Sequence, residues 1–91
     1  MEINSKTIQR TEDDIYRELL AVADDNSYLK STAPEAYYRT VVANMTSVAN
    51  MAKQSHVIRE FFLSIDRNPD QALDEMLKRA IDEVRHKKEC H

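Results

Sequence analysis

Glycine is absent from this chain. That removes the residue that supplies positive-φ turns, bulges and close backbone approach to phosphate. Hairpins, P-loops, dinucleotide fingerprints and nucleophile elbows therefore lack their usual material. Cysteine occurs once, at Cys90, so no intramolecular disulfide can form and no oxidising compartment is implied. There is no run of about 18 apolar residues, and Met1 to Arg10 lacks the apolar stretch of a signal peptide. A soluble, cytoplasmic protein without membrane contact is expected. An excess of positive charge is missing as well: 13 basic and 16 acidic residues are interleaved and leave a net charge of −3. No strong positive field gathers nucleic acid or anionic lipid.

What remains favours helix nearly everywhere, because proline occurs only twice and Ala, Leu, Met, Glu, Lys and Arg are plentiful. The 91 residues, 42% of them hydrophobic, fit one compact domain and are too few for a second core. Residues 1–10 are polar, and Ile3 and Ile8 do not satisfy strand alternation, so this stretch reads as a loose arm. Residues 11–88 form the helical domain and 89–91 a frayed end. Thr11-Glu12-Asp13-Asp14 has the form of an N-cap followed by acids in a first turn. Ile15, Tyr16, Leu19, Leu20, Val22 and Ala23 then form one apolar stripe, which Asp24 and Asp25 close, with Asn26 as a left-handed cap in place of glycine.

A second start lies at Ser31-Thr32-Ala33-Pro34-Glu35. Proline at the first helical position makes Ala33 the cap, whereas a Thr-x-x-Glu capping box makes Thr32 the cap. A third lies at Asn68-Pro69-Asp70-Gln71, where Asn68 caps, Pro69 takes the first position and Gln71 can close the box. The helix that follows presents Leu73, Met76, Leu77, Ala80, Ile81 and Val84 on one face.

Between Pro34 and Ile65 nothing breaks a helix strongly. A continuous helix there has roughly 32 residues and is about 48 Å long. Tyr38, Val41, Val42, Met45, Val48, Ala49 and Ala52 share one side of it. Met51, Val57, Ile58, Phe61, Phe62 and Ile65 centre about 140 to 180° away, with the swap near Lys53-Gln54-Ser55-His56. Two all-α structures satisfy the swap: a three-helix antiparallel arrangement around a long central helix, or a break near Ser55 that gives four helices sharing one core. The lack of Gly or Pro, and of Glu or Gln three residues after Ser55, favours the unbroken helix. Two short helices cannot cover both faces of such a spine, so an apolar patch is expected to remain as a partner surface.

The constellations that carry chemistry are few. His86, Cys90 and His91 are metal-capable, but a site needs three or four rigid ligands and these sit beside a terminus, so no metal or other cofactor is expected. Arg85-His86-Lys87-Lys88, with Lys78 and Arg79, offset the negative end of a helix dipole, and Asp74 with Lys78 and Glu75 with Arg79 have i, i+4 spacing. Ser55-His56 and Cys90-His91 are the only adjacent nucleophile–base pairs. Sequence neighbours rarely have triad geometry, so an enzyme is not expected.

Tyr37 and Tyr38 point about 100° apart on a helix, so both cannot enter one core and a partner contact at one of them is plausible. Tyr38, Val41, Met45, Val48 and Ala52 follow coiled-coil spacing for about two heptads. On the other side Ala36, Ala43, Ser47 and Asn50 form a small, mildly polar strip that lets another helix approach. The expectation is a noncatalytic interaction module (regulator, inhibitor or adaptor) that binds another protein or a second copy as a dimer, through Tyr37, Tyr38, Val41, Met45, Val48 and Ala52. The alternative is a dimeric DNA-binding regulator, with Lys6, Arg10, Lys30 and Arg39 on phosphates and a binding strength that falls steeply with salt.

Overall fold

The structure, a computed structural model, describes residues 5–89, with side chains from residue 8 to residue 86. All of the regular structure in that range is helical: α1 (Ser5–Asp25), α2 (Leu29–Thr32), α3 (Pro34–Lys53), α4 (His56–Ser64) and α5 (Pro69–Glu89). The expected all-α class holds. Of the two candidate arrangements, the one with a break near Ser55 is realised.

The favoured unbroken spine is corrected by Gln54 and Ser55. The Gln54 and Ser55 amides donate to the carbonyls of Met51 and Ala52, which tightens and ends α3. Ser55 then turns extended, with φ −74° and ψ 119°, and its Oγ accepts from the Ile58 amide at 3.4 Å. A serine N-cap needs no glutamate three residues on, only a free amide there. Arg59 reinforces the corner: its Nη1 donates to the Lys53 carbonyl at 3.0 Å and to Asp70 Oδ1 at 3.1 Å.

The bend solves the rotation of the apolar stripe. It turns the α4 arc toward the same interior as α3, so that Phe62 is fully buried beside Val41, Met45 and Ala49. Leu19 of α1 and Leu73, Met76, Ala80 and Val84 of α5 complete this core. Tyr38 and Lys53, at opposite ends of α3, meet Arg85 and Asp74 of α5, so α3 and α5 run antiparallel. Glu12 meets Arg67 just ahead of α5, and Tyr16 meets Glu83 and Arg79, so α1 runs in the direction of α5.

Two helix starts agree with their sequence signals. Pro34 occupies the first position of α3 with Ala33 as its cap, while Thr32 turns back to the Tyr28 carbonyl at 3.5 Å, which settles the rivalry between the two caps. Asn68 Oδ1 accepts from the Gln71 amide at 3.1 Å, but the Gln71 side chain reaches forward to Glu75 and closes no box.

Two signals were misplaced. The polar arm does not extend to residue 10: α1 already runs from Ser5, so Thr11 lies inside it. Nothing from Lys6 to Arg10 resists helix, and half-buried Ile8 stands two turns before Ile15 on the same stripe. Asn26 does not take the left-handed conformation either. It is buried, and its Nδ2 donates to the Val22 carbonyl at 2.8 Å. The left-handed cap falls instead on Asp66 (φ 59°) after α4. There the Arg67 amide reaches the Phe62 carbonyl and the Asp66 amide reaches the Leu63 carbonyl, the paired bonds of a Schellman motif.

Candidate functional site

The face expected to meet a partner is turned inward. Tyr37, Val41 and Met45 belong to the chain's own core, and Tyr38, Val48 and Ala52 pack against it. The reason is the bend: once α4 folds onto the same interior, one chain covers both halves of the stripe. Neither tyrosine is left fully exposed. Lys30 lies 5.4 Å from the Tyr37 ring centre, and Arg85 donates to Tyr38 Oη at 3.1 Å.

The other nominated groups are also drawn into structural contacts. Ser55 is a helix cap, and His56 Nε2 faces Glu60 at 3.1 Å on the outside of α4. Asp74, Glu75 and Arg79 do not settle into i, i+4 pairs along α5. They reach Lys53, Arg67 and the Tyr16 ring on other elements. Tyr16 donates to Glu83 Oε2 at 2.8 Å. Burial pushes its phenol pKa up, aided by the hydrogen bond to Glu83 and its negative charge and opposed by Arg79.

Among the described residues no three His, Cys, Asp or Glu side chains gather as a metal site; Cys90 and His91 lie outside that range. No described helix is long and apolar enough to cross a membrane. A shallow depression on α1 is lined by Gln9, Arg10, Asp13, Asp14 and Arg17, all polar and of mixed charge. Of the four cations assigned to phosphate contacts, Arg10, Lys30 and Arg39 are exposed on three different helices, and the side chain of Lys6 is outside the described range.

What the fold leaves open is the back of α3. From Thr40 to Ala52 no residue is charged, in a chain that is 32% charged. The outward positions of this stretch, Ala43, Asn44, Ser47, Asn50 and Met51, are exposed, and Gln54 continues them. Met51 is 72% exposed, and beyond the bend Val57 and Leu63 of α4 are 78% and 60% exposed. Arg39 is exposed at one end of this strip and the His56–Glu60 pair at the other. The outward sides of α1 and α5 are different in kind: Asp13, Asp14, Arg17 and Glu18 on the first, and Asp74, Lys78, Arg79 and Asp82 on the second, are charged and exposed.

The sequence pattern marks Ala36, Ala43, Ser47 and Asn50 as a small strip but groups Met51 and Val57 with Ile58, Phe61, Phe62 and Ile65 on the apolar side of the second half of the central segment. The overlooked signal was the run without charge, which exposes a neutral surface once hydrophobicity has placed the opposite side inward. Comparison of the chain with protein-family models, with curated proteins and with solved structures gave no match.

Proposed function

We propose that this chain is a noncatalytic protein–protein interaction module, a regulator, inhibitor or adaptor, that docks through the outer face of α3 and its continuation onto α4. The carrying observation is the uncharged, solvent-facing side of Thr40–Ala52. Depletion of charge, more than excess hydrophobicity, marks the centre of protein interfaces. Burying a neutral amide or hydroxyl costs about 1 to 3 kcal/mol if unpaired, and an unpaired charge far more. Ala43 and Ser47 have short side chains, which lets a second helix approach to roughly 8 Å between axes. Met51 supplies apolar area at the far end of the strip. We place this activity in the cytoplasm, since the one cysteine calls for no oxidising compartment.

The test is the native size of the full chain in extracts of its own cells, by gel filtration. The wild type is expected to elute in an assembly, Ser47→Arg as the free chain, and Asp14→Arg on α1 like the wild type. Elution of wild type and Ser47→Arg together, as the free chain, refutes the reading.

A further inference from the structure

We infer that Ser55 is a swap hinge. When the chain folds at high concentration, α3 and α4 join in one straight helix, and α4 with α5 of each copy packs on α1 and α3 of a second copy. This goes beyond the docking of a partner on the outer face of α3 and makes no use of that face. The hinge is very short: Gln54 is helical at φ −92° and ψ −7°, and only Ser55, at ψ 119°, leaves the helical region. Turning that one dihedral to a helical value continues α3 into α4. No glycine or proline between Pro34 and Pro69 opposes it. Straightening gives up the long bond from the Ile58 amide to Ser55 Oγ and the bond from Arg59 to the Lys53 carbonyl. In return the His56 and Val57 amides, which have no backbone partner among the described residues, reach the carbonyls of Ala52 and Lys53. Locally, the bent and straight forms are nearly balanced.

The contacts on either side of the hinge name the occupant. Arg59 with Asp70 and Arg67 with Glu75 tie α4 and the following turn to α5, so this part moves as a unit. The core divides at the same point, with Leu19, Val41 and Met45 before the hinge and Phe62, Leu73 and Met76 after it. Lys53 with Asp74, Glu12 with Arg67, Tyr16 with Glu83 and Tyr38 with Arg85 also cross this boundary. A chain that straightened alone would lose these contacts and leave the core sides of α3 and α4 about 140 to 180° apart. A second copy restores them, because it brings the same side chains in the same order. Any other partner would have to reproduce the whole set. In dilute solution the tethered α4 and α5 reach their own core first, so the bent monomer prevails there. Exchange requires the core to open, so monomer and swapped dimer interconvert slowly.

The test is refolding of the full chain from denaturant at low micromolar and at millimolar concentration, followed by gel filtration. The concentrated sample is expected to yield a dimer that returns to monomer only slowly on dilution. Spin labels at positions 43 and 64, with Cys90→Ser, are diluted among unlabelled chains so that only the distance within one chain is read. That distance is expected to be about 32 Å in the dimer and shorter in the monomer. His56→Pro locks the bend. Proline suits the first position of α4 after an extended residue, whereas inside a straight helix it removes the bond to Ala52 and clashes with the preceding turn. His56 is exposed and pairs only with Glu60, so this variant is expected to melt no lower than the wild type. Its dimerisation is expected to be at least about a hundredfold weaker. Absence of a dimer at millimolar concentration, a dimer whose labels keep the monomer distance, or a His56→Pro chain that dimerises like the wild type overturns the proposal. Ser47→Arg is expected to leave the dimer intact. A dimer that Ser47→Arg abolishes is held by the outer face of α3, which overturns exchange and leaves the docking reading standing.

Discussion

Ser55→Ala and Phe62→Ala separate two reasons for the bend between α3 and α4: the local cap, or the burial it permits. The Ser55 bond to Ile58 is long at 3.4 Å, so its loss falls at the low end for an N-cap, about 0.5 to 1 kcal/mol. Phe62 is 0% exposed, and truncating such a ring costs about 3 to 5 kcal/mol. A chain of this size has about 5 to 14 kcal/mol of stability, and each kcal/mol moves its Tm by about 4 to 8 °C. Ser55→Ala is therefore expected to lower the Tm by a few degrees and to leave the bend in place, because straightening would withdraw Phe62 from the core. Phe62→Ala is expected to lower it several times as far. Melting followed by circular dichroism gives both values. Spin labels at positions 43 and 64, with Cys90→Ser, report the bend, since a straight helix would hold these positions about 32 Å apart. A Ser55→Ala chain with labels at the straight-helix distance, or one as unstable as Phe62→Ala, refutes the account.

Asp66→Gly should stabilise the chain by up to about 1 kcal/mol, because relief of the left-handed strain at φ 59° exceeds the added chain entropy of glycine. The check is a higher urea midpoint at unchanged m-value, and a lower midpoint counts against it. Arg67 joins Glu12 at 2.6 Å, Glu75 at 3.3 Å and the face of the Phe62 ring. A double-mutant cycle of Arg67→Met with Glu12→Gln should give a coupling of about 0.5 to 1 kcal/mol that shrinks in high salt; a coupling indifferent to salt would contradict the ion pair. Tyr16 has a pKa raised from 10.0, mainly by burial, so the neutral phenol is the form the fold prefers. Its contribution is full below that ordinary value and is lost as pH rises through the raised one. Tyr16→Phe should flatten the alkaline decline in unfolding midpoint, and an unchanged decline removes the assignment.

Signals confined to a few neighbouring residues were legible in the sequence. Pro34 and Pro69 mark helix starts because a fixed φ and a missing amide act locally, and Asn68 caps without needing a distant partner. The buried sides of α1 and α5 followed from spacing alone. The break at Ser55 was not decided locally: a weak cap wins there because Phe62 gains a core that exists only once α1, α3 and α5 have assembled. The choice of Asp66 over Asn26 for the left-handed turn has the same origin, since α4 must reverse onto α5 whereas the chain after α1 passes through the short turn of α2. Asp74 and Glu75 left their expected i, i+4 partners because Lys53 and Arg67 arrive from other elements.

The inward turn of the predicted face changes where function is to be sought. A greasy stripe is the wrong search criterion when the chain can bury it unaided, and after that burial the remaining surfaces differ chiefly in charge. The back of α3 is then set apart by what it would not have to desolvate. Because Ala43, Ser47, Asn50 and Met51 lie outside the core, the proposed association would draw on residues of α3 that folding does not use. Substitutions at these outer positions should alter assembly with little change in monomer stability, whereas those at Val41 or Met45 should do the reverse.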